Sequence, residues 1–390
     1  MNAGIESLSF YSSHYFIDLK TLAEQRGLRP DLFYKSIGQE KMAVPPPDED
    51  IITLAANAAH QALQGVDKES IDTVLFATES AIDQSKAGGI YVHHLLDLPH
   101  NCRVVELKQA CYSGVAGLQL ALPYVLQHPD RKVLLVASDI ARYGLGAAGE
   151  PTQGAGAVAV VLSTHPRIME LDLTTGMHTE DVMDFWRPNY RDEALVDGKY
   201  SVKVYLKTLT EAWKQYSDLS GARFSDFSRF AYHLPFSRMG ETAHKHLAKL
   251  AGNNDLQDAD VLRQIANALV YNRIVGNTYT ASVFIALASL LENEKEDLSG
   301  SKIGMFSYGS GCVGEFFSGK VQSNYRDFLH KKFHNELVEN RQELSYSEYS
   351  DFYSYSLPTD GGEYETPVNK TGKFRFAGLK NHQRQYERLA

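Results

Sequence analysis

The stretch VVELKQACYSGVAGLQLALPYVL, residues 104–126, decides how the chain is read. Val104–Leu107 is an apolar run of strand type, Val115–Leu126 follows a helical pattern, and Cys111 falls between them. Strand followed by helix is the unit of α/β proteins, and the same alternation spreads outward in both directions. Strands are expected at Thr73–Thr78, Val133–Ala137, Ala155–Leu162, Arg229–Tyr232 and Ile303–Tyr308. Helices are expected at Ile17–Arg26, stopped by Gly27, and at Ile51–Leu63, Tyr205–Tyr216, Glu241–Leu250 and Thr280–Leu291. Helix-length connections favour parallel pairing, which gathers ligand sites at the carboxyl ends of strands.

The 390 residues, 43% hydrophobic and 22% charged, make a folded globular chain and exclude a disordered, collagen-like or coiled-coil one. A net charge of −9 with a pI near 5.9 leaves no basic footprint for nucleic acid or an anionic membrane surface. No run of about 18 apolar residues occurs, and the N-terminus lacks the pattern of a secretory signal, so a soluble, cytoplasmic protein is expected. The cysteines, Cys102, Cys111 and Cys312, form neither a disulfide framework nor a metal-ligand spacing. Asp181, Asp184 and His178 have no partner cluster that demands a metal, so neither a metal nor a redox cofactor is expected.

The chain also echoes itself. TVLFATES, with Glu79 near its end, resembles SRFAYHLPF, where His233 takes the comparable place 154 positions later. The small-residue strand around Gly154 resembles the one around Gly309, 155 positions on. Two duplicated halves are expected, 1–165 carrying Glu79 and Cys111, and 166–390 carrying His233 and Asn277. From about Tyr325 the chain is polar and tyrosine-rich (SYSEYSDFYSYS), which reads as surface helix and loop with no site.

Four residues stand where chemistry is possible. Cys111 sits at the start of a helical pattern, where free N–H groups and the positive dipole end stabilise a thiolate nucleophile for acyl transfer; a small buried apolar cysteine is the alternative. His233 closes a strand before Pro235, facing either a pocket or a satisfied core position. Asn277, between Gly276 and an apolar helix, either points its amide at a carbonyl oxygen or caps that helix. Glu79 is a general base if a dry pocket raises its pKa, and otherwise a loop carboxylate capping the next turn. The run GLGAAGEPTQGAGAVAV lacks the ending of a phosphate loop and precedes a strand, so it reads as close backbone packing beneath a site.

Together, ATESAIDQSKA (77–87), KQACYSG (108–114), DIARYGL (139–145), GEPTQGAGAVA (149–159), DVMDFWRP (181–188) and FSYGSG (306–311) carry a resemblance. In this order they are similar to the 3-hydroxy-3-methylglutaryl-CoA synthases of the bacterial mevalonate pathway, members of the thiolase-fold condensing enzymes. The resemblance implies an α/β thiolase-like fold of two duplicated halves in a layered αβαβα core, and a homodimer. It implies acetyl transfer from acetyl-CoA to Cys111, then an aldol-type condensation with acetoacetyl-CoA, and no cofactor beyond these substrates. Glu79 matches the family's general acid/base, His233 the residue that positions the acetoacetyl thioester, and Asn277 an acceptor-binding amide. Tyr143, Thr152, Asp184, Ser201 and Ser310 match substrate contacts, and Arg238 lies near the CoA phosphates. Glu241 and Thr242 stand where mevalonate-pathway relatives often carry lysine. NCRVVELKQACYSG also resembles the related synthases of polyketide β-branching, which use acyl groups on carrier proteins. A ketoacyl synthase of the same fold would use Cys111, His233 and Asn277, but its decarboxylative condensation needs no base such as Glu79.

Overall fold

A computed structural model describes residues 2–253 and 257–389. Its centre is a ten-stranded sheet. In chain order the strands are β1 (Gly4–Tyr11), β2 (Ile71–Ala77), β3 (Arg103–Leu107), β4 (Lys132–Ala141), β5 (Gly154–Ser163), β6 (Met169–Leu171), β7 (Gly176–Thr179), β8 (Arg229–Tyr232), β9 (Lys302–Gly309) and β10 (Val313–Val321). The spatial order is β8-β9-β10-β6-β1-β5-β4-β2-β3, with β7 also paired to β10. The helices that matter below are α1 (Ile51–Ala62), α2 (Ser113–Gln127), α3 (Gly198–Ser220), α4 (Ser237–Leu250), α5 (Ser282–Asn293) and α6 (Tyr346–Ser354).

The sheet is mixed, which corrects the expectation of parallel pairing. Parallel pairs are confined to β2 with β3 and β4, and to β8 with β9; β5 and β10 turn back antiparallel beside β4 and β9. Only the strands joined through long helical crossovers run parallel, because a short connector returns the chain in the opposite sense. The same device, a parallel pair closed by an antiparallel return, thus occurs twice. β5 is buried along its whole length, as a strand covered on both faces must be. The helices α1 and α5 are buried almost throughout and have no polar face, so they form the inner helical layer. Asp50 starts α1, its carboxylate accepting from the N–H groups of Ile52 and Thr53 at 2.9 and 3.1 Å.

The expected strands and helices are present with bounds shifted by a few residues. Ile17–Arg26 begins instead as a strand, Tyr15–Asp18, and turns helical at Leu19–Gln25 once Asp18 caps the Lys20 N–H at 2.8 Å. β1 escaped the sequence reading because Ser7 and Ser9 interrupt its apolar pattern. In the fold both hydroxyls are paired, Ser7 donating to the Ala62 carbonyl at 2.7 Å and Ser9 facing His334 at 3.0 Å. The tail is more than surface: Tyr325 and Tyr349 are fully buried. A hairpin, Phe374–Lys380 with Gln383–Arg388, folds back so that Arg384 and Tyr386 each reach Asp50 at 2.7 Å. Among the described residues no helix is long and apolar enough to cross a membrane, and no group of three His, Cys, Asp or Glu could hold a metal.

Candidate active site

Parallel strands deliver their carboxyl ends to one place. β2 leads to Glu79, β3 to the turn before α2, β8 to His233 and β9 to Ser310. Ala110, just before Cys111, has φ 43°, a left-handed conformation that costs energy in any residue with a Cβ and is typical of functional turns. The turn is clamped from the other half: a Cβ on Gly309 would lie 2.6 Å from the Gln109 carbonyl and the Tyr112 nitrogen. Gln109 Nε2 donates to the Ser310 carbonyl at 3.2 Å, and the Tyr112 phenol donates to buried Glu315 at 2.6 Å. Gly154 is small for the same reason, since a Cβ there would meet the Val275 carbonyl at 2.5 Å and the Asn277 nitrogen at 2.7 Å. That is the close backbone packing expected of the glycine-rich run.

A cavity of about 290 Å³ opens between the halves, lined by Cys111, Tyr143, Thr152, Ser201, His233, Asn277 and Ser310 among others. In its wall the Cys111 thiol donates to Glu79 Oε1 at 3.1 Å. Glu79 stands between this cavity and a larger open chamber of about 1260 Å³ that runs beneath the C-terminal segment. Burial, with Asp139 nearby, pushes the Glu79 carboxyl up to about 8. Burial and the Glu79 charge hold the Cys111 thiol well above its ordinary value. The expected thiolate is therefore corrected to a resting thiol. Ser113 begins α2 two residues further on, and desolvation beside carboxylates outweighs the dipole of that helix end. His233 is pushed down to about 3 by burial alone. It is a neutral imidazole on a fixed main chain, whose backbone N–H donates to the Phe306 carbonyl at 2.8 Å and whose backbone carbonyl accepts from the Tyr205 phenol at 3.0 Å. A neutral ring can donate one hydrogen bond to a substrate oxygen. Asn277 Oδ1 accepts from the Tyr279 N–H at 2.9 Å, so the residue caps a turn while it lines the cavity.

Besides Glu79, two sequence-derived residues stand outside the cavity wall. Asp184 is fully buried behind it, accepting from Ser201 Oγ at 2.9 Å, Tyr308 OH at 2.6 Å and Gly311 N at 2.9 Å, so it holds three wall segments together. Arg238 is exposed at the start of α4, its N–H on the Ile37 carbonyl at 2.9 Å.

The full-length comparison decides the family. Family models for the N-terminal and C-terminal parts of hydroxymethylglutaryl-coenzyme A synthase match residues 1–166 and residues 168–264 and 244–354. The hydroxymethylglutaryl-CoA synthase of Enterococcus faecalis is 42% identical over 386 residues, covering 99% of this chain and 100% of that one. The chain belongs to the hydroxymethylglutaryl-CoA synthase family. A crystal structure of an HMG-CoA synthase complexed with CoA superposes with a TM-score of 0.94 at 38% identity, covering 100% of both chains. The polyketide biosynthesis 3-hydroxy-3-methylglutaryl-ACP synthase of Bacillus subtilis is 35% identical, over 90% of this chain and 87% of its own. The thiolase-like fold is thus that of the family.

Sequence reasoning passed over two residues that this synthase fold brings to Glu79. Asp139, buried at the end of β4, accepts from Thr78 Oγ1 and the Glu79 N–H at 2.9 Å each, and from the Thr280 N–H at 3.1 Å. It ties Glu79 to the turn before α5. The signal was a carboxylate inside the otherwise apolar KVLLVASDIA. Arg187, within the DVMDFWRP stretch, donates to the Glu79 carbonyl, and its charge opposes the upward shift of the carboxyl. With the Glu79 carboxyl at about 8, any step that uses it as a base is expected to rise about tenfold per pH unit below pH 8 and level above it. Asp139→Asn removes a negative neighbour, so the midpoint of that profile is expected to move to lower pH. The check is single-turnover condensation measured from pH 6 to 9.

Proposed function

We propose that the chain condenses acetyl-CoA with acetoacetyl-CoA and water to give (S)-3-hydroxy-3-methylglutaryl-CoA and CoA, in the mevalonate route to isoprenoids. The observation that carries this reading is that Cys111, bonded to Glu79 at 3.1 Å, lines one cavity with His233 and Asn277. In this reading residues 1–165 supply nucleophile and base, and residues 166–390 supply the groups that hold the acceptor. The Cys111 sulfur attacks the acetyl carbonyl, the thioester bond to CoA breaks, and the thiol proton leaves on the CoA thiolate. Glu79 then takes a proton from the acetyl methyl, and the resulting enolate adds to the ketone carbon of the acetoacetyl thioester. The neutral His233 ring donates to the acceptor oxygen, where negative charge grows, and Asn277 holds the acceptor from the other side. Glu79 returns its proton to the new tertiary alkoxide. Water finally cleaves the Cys111 thioester and frees the product.

Tyr143, Thr152, Ser201 and Ser310 shape the cavity around the acyl groups, Asp184 braces that wall, and Arg238, exposed at the start of α4, is the cation assigned to the CoA phosphates. Residues of the chain itself supply each proton transfer, so the reaction runs without metal or redox cofactor. We expect a cytoplasmic homodimer. The 42% identity to a CoA-dependent synthase against 35% to a carrier-protein one favours free CoA thioesters. The test is intact mass after incubation with acetyl-CoA, and separately with an acetyl carrier protein, followed by acetoacetyl-CoA. One acetyl from free CoA, discharged into a six-carbon product, supports the reading. Labelling from the carrier protein alone would move the chain to polyketide β-branching.

A further inference from the structure

The tyrosine-rich helix α6 does not sit idle on the surface. Its Tyr349 is buried, and the phenol donates to Glu150 Oε1 at 2.8 Å while accepting from Gln153 Nε2 at 3.0 Å. Gln153 in turn accepts the Tyr143 N–H on its Oε1 at 2.8 Å. Glu150, fully buried, uses its other oxygen for the Gly146 N–H at 2.9 Å and for Arg26. Every partner in this chain of bonds is used, and buried networks of that kind hold one geometry because each broken link strands a desolvated group. At its far end is Tyr143, whose ring closes the apolar patch around Cys111 together with Tyr279, at a ring separation of 6.3 Å.

We propose that Tyr349 is a positioning residue for acyl transfer, fixing the place of Tyr143 through Gln153 and thereby the room available to the acyl group on Cys111. A C-terminal segment far from the nucleophile in sequence thus gauges the size of the donor. The inference rests on the acyl-transfer reading of Cys111, and acylation of the parent chain in the same run reads that separately.

The experiment is competition between acetyl-CoA and propionyl-CoA for the full-length chain, read by intact mass as the ratio of acetylated to propionylated enzyme at early times. The ratio counts only folded, reactive molecules, so it is indifferent to lost yield or lowered melting temperature. Tyr349→Phe, which keeps the ring and removes the hydroxyl, is expected to lower the preference for acetyl about tenfold, because one methylene in a well-held apolar cavity is worth that much or more. Tyr346→Phe on the same helix, with no bond to the Glu150 loop, is expected to match the parent. Gln153→Leu is expected to lower the ratio too, and the double variant Tyr349→Phe/Gln153→Leu to be no worse than the poorer single one, since both act along one path. A Tyr349→Phe ratio within about twofold of the parent overturns the proposal, as do effects that multiply in the double variant.

Discussion

Cys111→Ser is expected to take up no acetyl group from acetyl-CoA and to lose at least about 10⁴-fold in turnover, as removal of a nucleophile does elsewhere. The reason is local. The site already holds the thiol well above its ordinary pKa by burial and by the charge of Glu79. An alcohol, a far weaker acid and a poorer nucleophile, sits in the same environment with no compensating group. The serine hydroxyl is small enough to keep the bond toward Glu79 and the clamp between Gly309 and Tyr112, so the fold is expected to survive with an unchanged melting temperature. Intact mass and circular dichroism on one sample check both halves of the expectation. Acetyl label retained by the folded variant would remove Cys111 as nucleophile.

Glu79→Gln separates the two chemical steps. General-base catalysis contributes about 10²–10⁴-fold, so condensation with acetoacetyl-CoA is expected to fall by that factor. Acetylation is expected to stay within about tenfold of the parent, because losing the carboxylate charge also lowers the Cys111 thiol toward its ordinary range. Rapid quench should therefore show acetyl-enzyme that forms and then persists in the presence of acceptor. Equal loss in both steps would mean that Glu79 supports Cys111 alone and is not the base for carbon–carbon bond formation.

The roles follow from where each residue sits, and much of that was legible in the residues themselves. Glu79, Cys111 and His233 stand just beyond short apolar strands, and any α/β sheet with parallel pairs brings such ends together. The glycine-rich run around Gly154 marked a place where two backbones meet. Other features left weaker traces. β1 reads poorly because its serines find partners on α1 and on His334, which lie elsewhere in the sequence. Asp139 lies just past the strand expected at Val133–Ala137, yet four donors from two segments converge on it. The tyrosine-rich tail has the composition of a surface segment, and only the return of α6 onto the Glu150 loop buries Tyr349.

By itself, then, the sequence determined the alternation of strands and helices, the family-like motifs and the residue types at the strand ends. Those depend on local pattern, which short stretches carry completely. The tertiary structure alone decided the proton states. A cysteine before a helix reads as a thiolate from its neighbours in sequence, but desolvation and the carboxylate of Glu79, 3.1 Å away through space, make it a thiol. Likewise His233 is neutral because the fold strips it of water, and the Glu79 carboxyl is pushed up to about 8 because burial and Asp139 raise it. Coulomb and solvation energies follow distance in space, so residues far apart along the chain set the chemistry of each other.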